Sequence, residues 1–111
     1  MTNRFRPAGR RVRVTVGGEL IADSRDAVAL EEGVYPVVFY VPRKDVRMER
    51  LERTAHRTHC PWKGDASYYS VVDGPANAVW SYEQPLEAAR AVEGLLAFYA
   101  SKVDSITVSD D

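Results

Sequence analysis

Arg11-Val12-Arg13-Val14-Thr15-Val16-Gly17-Gly18-Glu19-Leu20-Ile21-Ala22-Asp23 reads as a β-hairpin from end to end. Valine returns at every second position with Arg13 and Thr15 between, the period of a half-buried strand. Gly17-Gly18 supplies the positive φ angles that a two-residue hairpin turn requires. Glu19 to Asp23 is then the returning strand, with Leu20 and Ala22 on one face. Working outward, Ser24 to Asp26 turns the chain again. Ala27 to Glu32 follows as a third strand, with Val28 and Leu30 inward, so the pattern is an antiparallel meander. On the other side of the hairpin, residues 1–10 contain Pro7 and Gly9 and have no apolar period. They read as a disordered basic arm, which leaves 11–111 as a single domain.

The remaining segments keep the β character. Tyr35 to Val41 is a continuous β-prone run, expected to be buried on both faces, and Pro42 closes it. Asp45 is placed to cap one helical turn through Met48. Leu51 to Arg57 reads as extended and His59 to Asp65 as a loop. Ala66 to Val72 and Ala76 to Glu83 read as paired strands around the turn Asp73-Gly74-Pro75. After Pro85, the spacing of Leu86, Ala89 and Val92 predicts one short helix that Gly94 ends. Leu95–Tyr99 and Ser105–Val108 close the chain as short strands. Many short strands against one short helix make a mainly β sandwich or partly open barrel and exclude a dinucleotide fold.

A chain of 111 residues with formal charge −1 is one domain's worth of protein, able to bury roughly two-thirds of its unfolded surface. It contains no run of about 18 apolar residues to span a membrane, and no apolar stretch of a secretory leader behind its first arginines. The single thiol, Cys60, cannot close an internal disulfide, so a reducing, cytoplasmic location is expected. A nucleic-acid partner would need one strongly basic face. Here Arg4, Arg6, Arg10, Arg11 and Arg13 are followed by Glu19, Asp23, Asp26, Glu31 and Glu32, so neither nucleic acid nor membrane is expected as a partner.

Chemistry-bearing residues concentrate between Arg57 and Tyr69. Arg57, His59 and Lys63 are cations on one segment, beside Tyr68 and Tyr69 and, on the partner strand, Trp80. Aromatic walls with a few cations suit a small anionic ligand. Arg57 and Lys63 would neutralise its charge, and His59 would supply a hydrogen bond. Cys60 and Lys63 are the candidate catalytic groups, since nearby cations activate a thiol as a nucleophile or redox centre. His59 and Cys60, being adjacent on an extended chain, point to opposite faces, which argues against their acting as a base–nucleophile pair. His56, His59 and Cys60 fall one ligand short of a structural zinc site, and there is no second cysteine. Lys63-Gly64 lacks the earlier glycines of a phosphate loop. Neither metal nor cofactor is expected. Two other readings stay open: a small enzyme acting through Cys60 or Lys63, and a protein-interaction module using a sheet edge or the arginine-rich arm.

Tyr40-Val41-Pro42-Arg43-Lys44-Asp45-Val46, Thr58-His59-Cys60-Pro61-Trp62-Lys63-Gly64-Asp65-Ala66-Ser67-Tyr68-Tyr69, Ala78-Val79-Trp80-Ser81-Tyr82 and Ala97-Phe98-Tyr99 carry a resemblance. From about Arg11 to Val108 the chain resembles the bacterial family known as domain of unknown function 427. The resemblance implies a β-tent, two antiparallel sheets packed at a steep angle, akin to Mss4-like domains but without their paired cysteine knuckles. It implies no reaction. A two-magnesium nucleotidyltransferase centre would need an Asp-x-Asp pair behind a Gly-Ser opening, and the only adjacent pair is Asp110-Asp111.

Overall fold

The computed structural model describes residues 3–111. Its strands are β1 (Asn3–Pro7), β2 (Arg11–Val16), β3 (Glu19–Ser24), β4 (Val28–Glu32), β5 (Val38–Tyr40), β6 (Leu51–Cys60), β7 (Gly64–Val71), β8 (Val79–Ser81), β9 (Ala97–Phe98) and β10 (Ser105–Ser109). They pair antiparallel in three ladders, ordered β1-β4-β5, β10-β2-β3 and β6-β7-β8-β9. The fold is mainly β, as its sequence implies, with three ladders where two sheets are expected. The first and third are stitched at one point, where Val41 and Leu96 exchange backbone hydrogen bonds of 2.7 and 2.9 Å.

Strand alternation explains where the core lies. Val12, Val14 and Val16 of β2 and Ile21 and Ala22 of β3 meet Val41, Tyr69, Val79, Leu96 and Phe98 from one face of the stitched ladders. Leu30, Tyr40, Ala66, Tyr68 and Ala97 emerge on the opposite face. The 3-10 segment Glu87–Val92 packs there through Ala89 and Val92. Each fully buried aliphatic side chain contributes about 1.5–3 kcal/mol, so both faces stabilise the domain.

Several local expectations are corrected. Asn3–Pro7 of the expected arm is a strand, registered on β4 from Asn3 opposite Glu32 to Pro7 opposite Val28. The β4 edge has backbone groups to satisfy, and Arg6 adds a 2.9 Å ion pair to Glu31; positions 1–2 of the arm lie outside the described residues. In the β2–β3 hairpin, Gly17 and Gly18 sit at φ +58° and +80°, as the turn demands. The register slips between Val14 and Thr15, leaving Ile21 as the extra residue of a bulge. Ile21 and Ala22 therefore both turn inward, and Leu20 is exposed. Tyr35–Val37 is not strand: Val34 and Tyr35 are 87% and 68% exposed, because no described strand reaches that part of the run.

Asp45 ends a 3-10 turn, Arg43–Asp45, instead of opening one; its carboxylate accepts hydrogen bonds from Ser24 Oγ (2.7 Å) and Lys44 Nζ (2.9 Å). The segment 59–60, expected to be loop, continues β6. The expected helix after Pro85 is present but 3-10 in form, kinked at Ala89.

Candidate functional site

The β6–β7 hairpin carries most of the sequence-predicted residues, and its register sorts them. Arg57 lies opposite Ser67, His59 opposite Asp65, Thr58 opposite Ala66 and Cys60 opposite Gly64. Arg57 and His59 therefore share the face of Asp65, Ser67 and Tyr69. Cys60 shares the other face with Tyr68 and, across β7–β8, with Trp80. The residues expected around a single hollow thus divide between two. His59 is exposed and bonded through Nδ1 to Asp65 Oδ1 at 2.8 Å. Arg57 is exposed. Cys60 is half-buried against the aromatic cluster of the second face. Tyr69 lies under the Arg43 guanidinium, 5.7 Å from its ring centroid.

Lys63 is drawn inward by the turn after β6. Gly64, at φ +107°, permits that turn, and a Cβ there would stand 3.2 Å from the Leu86 backbone nitrogen. The Lys63 side chain is only 11% exposed. Its ammonium lies 5.0 Å from the Trp62 ring centroid and 5.8 Å from that of Tyr82. Glu32 of β4 completes the surroundings. It accepts a 2.9 Å hydrogen bond from Trp62 Nε1 and faces Lys63 Nζ at 3.4 and 3.5 Å. Glu32 is not among the residues that the sequence singles out, because it is about 30 positions from both partners in the chain.

The same face holds a run of phenols. Tyr68 Oη bonds Thr58 Oγ1 at 2.9 Å and Tyr99 Oη at 3.1 Å, and Tyr99 packs on Trp80 with ring centroids 4.5 Å apart. Burial, reinforced by the Tyr68 hydrogen bond, pushes Tyr99 up to about 12. Burial also raises Tyr82 and pushes Tyr40 up to about 12, a rise that the nearby Trp80 indole opposes only in part. The Tyr40 hydroxyl is fully buried and, among the described residues, has no hydrogen-bond partner of good geometry. An unsatisfied buried hydroxyl is a liability, so Tyr40→Phe is expected to stabilise the domain by about 1 kcal/mol. Urea unfolding measures this, and a destabilised variant would reveal a partner for that oxygen.

Beyond the Val41–Leu96 stitch, β5 and β9 are not paired to each other, and a cleft of about 570 Å³ opens beside them. Trp80, Tyr99, Phe39 and Phe98 line it from the stitched ladders, and Val14 and Ile106 from β2 and β10. Among the described residues Glu32 is its one carboxylate, and the exposed Tyr35-Pro36-Val37 segment stands at its side. Of the expected site residues, only Trp80 lines it. The signal that could point here is Pro36 shortly after Gly33, which marks an apolar loop as readily as a strand start.

Among the described residues, no three His, Cys, Asp or Glu side chains are grouped as metal ligands would be, and no helix is long and apolar enough to cross a membrane. No curated protein matches the chain. The model of the family described as Domain of unknown function (DUF427) matches residues 4–109, nearly all of the described strands, and the chain belongs to that family.

Proposed function

We propose that this domain binds a small, largely apolar molecule in the cleft beside β5 and β9, oriented by a hydrogen bond to Glu32. The observation that carries the reading is the cleft itself: about 570 Å³, walled by aromatic and aliphatic side chains around a single carboxylate among the described residues. That volume falls within the range of small-molecule sites, and a few fixed polar groups in an apolar wall are their usual composition. Trp62 and Lys63 hold Glu32 in place, so the Cys-Pro-x-Lys-Gly loop serves as the support of the site instead of its wall. Among the described residues no cation lines the cleft, so this ligand is neutral or cationic and donates to Glu32. The anionic ligand expected from the loop would meet no guanidinium or ammonium in the wall of this cleft among the described residues. The unpaired thiol suits a reducing compartment such as the cytoplasm.

Nuclear magnetic resonance titration with indole, phenol and benzylamine tests the proposal. Binding is expected to move the Trp80 indole and Val38 methyl signals and, through the shared Glu32 carboxylate, the Trp62 indole N–H. Ala100 is exposed and lines the cleft, so Ala100→Trp fills it without replacing a core residue and is expected to abolish the shifts. Binding that survives Ala100→Trp, or probes that move no cleft signal, would overturn the reading.

A further inference from the structure

The face of the β6–β7 hairpin opposite the aromatic cluster carries a second hollow, of about 290 Å³, lined by Arg53, Arg57, Asp65, Ser67, Glu83 and Gln84. We infer that it binds a phosphoryl group, free or at the end of a small metabolite, between the two guanidinium groups.

The charges decide the sign of the ligand. Both carboxylates at the hollow already have cationic or hydrogen-bonding partners: Glu83 accepts from Arg43 Nη2, and Asp65 is bonded to His59. Among the described residues, Arg53 and Arg57 have no carboxylate within ion-pair distance. Arg53 donates from Nη2 to Ser67 Oγ at 2.9 Å, which fixes one edge of its guanidinium and leaves its other donors for a ligand. With Arg43 counted against Glu83, the two free arginines outnumber Asp65.

The floor is also built for acceptor atoms. Ser67 is 3% exposed. Two planar forks beside the Ser67 hydroxyl match the tetrahedral oxygens of a phosphoryl group, which arginine binds bidentately where lysine offers only a point charge. The volume admits one such group with a small substituent. The hollow is separate from the cleft, and occupation of one does not require the other.

The pair Arg53 and Arg57 is set by a two-residue excess in β6. Arg53 lies opposite Tyr69 and Arg57 opposite Ser67, so four steps along β6 span two along β7. In an unbroken ladder Ala55 would stand opposite Ser67, and Arg57 would move on to the rung of Asp65. The bulge instead brings the two arginines to successive rungs of one face.

Titration calorimetry at low ionic strength, with inorganic phosphate and glycerol 3-phosphate as separate probes, tests the inference. Saturable binding is expected, weakened at least tenfold by Arg53→Ala and by Arg57→Ala, and partly retained in Arg57→Lys. Arg10→Ala, which removes a surface arginine paired to Asp110, is expected to leave binding unchanged, as is Ala100→Trp in the cleft. Tighter binding of glycerol 3-phosphate identifies a metabolite, and equal binding identifies phosphate itself. Absence of binding, or equal losses in Arg10→Ala and Arg57→Ala, would overturn the proposal. Circular dichroism of each variant separates loss of the site from loss of the fold.

Discussion

Between pH 10 and 12 the domain is expected to lose its fold. Tyr40 ionises near 10 when unfolded but is pushed up to about 12 in the folded protein, chiefly by burial. The sign follows from proton binding. Below pH 10 both states hold the phenolic proton and the stabilisation is fully present. Above it the unfolded chain releases the proton first, so stability falls as pH rises until the folded group also titrates. Two pH units correspond to roughly 3 kcal/mol for Tyr40, a large share of the 5–15 kcal/mol typical of a domain. Tyr82 and Tyr99 are raised in the same direction and steepen the loss. Tyrosinate absorbance and circular dichroism, followed together, check this: the buried phenols are expected to ionise as the fold disappears. Tyr40→Phe should shift the transition to higher pH. Ionisation of all six tyrosines near pH 10 with the fold intact would contradict it.

Glu32→Leu is expected to cost about 3 kcal/mol, because it leaves a mostly buried ammonium without its carboxylate and strips Trp62 Nε1 of its acceptor. Lys63 keeps only the Trp62 and Tyr82 rings, which offer less to a desolvated charge than an anion does. For a domain of this size the melting temperature should fall by roughly 10 °C or more. The double variant Glu32→Leu with Lys63→Met distinguishes a stranded charge from lost packing. Removing both charges is expected to recover most of the stability, since an apolar pair of similar volume replaces a buried ion pair at little cost. A double variant no more stable than Glu32→Leu alone would place the loss in packing around Trp62.

The parts of the fold legible in the sequence are those whose pattern is local. Val12, Val14 and Val16 announce β2 by themselves, and Gly17-Gly18 announce its turn. Leu20 escapes such a reading because a bulge is a property of the pairing, invisible in one strand. Tyr35–Val37 has high β propensity, yet propensity becomes strand only where a neighbour pairs, and no described strand does so there. Asn3–Pro7 fails in the opposite sense: nothing local favours a strand, and the free edge of β4 recruits it. The candidate site divides along the same line. Lys63 and Trp80 stand out in the sequence, but Glu32 joins the first and Tyr99 the second across the fold. The separation of Tyr68 from Tyr69 is implicit in strand alternation, the argument that sets His59 apart from Cys60. A common pocket for both tyrosines is therefore excluded once this segment is strand.

β6 is the outermost strand of its ladder, ten residues long and largely exposed. Left straight, such a rim would invite another copy of the chain to zip on and grow a fibril. The surplus residues between Arg53 and Arg57 break its line of free amides, and the charged side chains flanking the kink repel a like rim brought alongside. The irregularity that sets two arginines side by side thus also guards the protein against self-templated stacking.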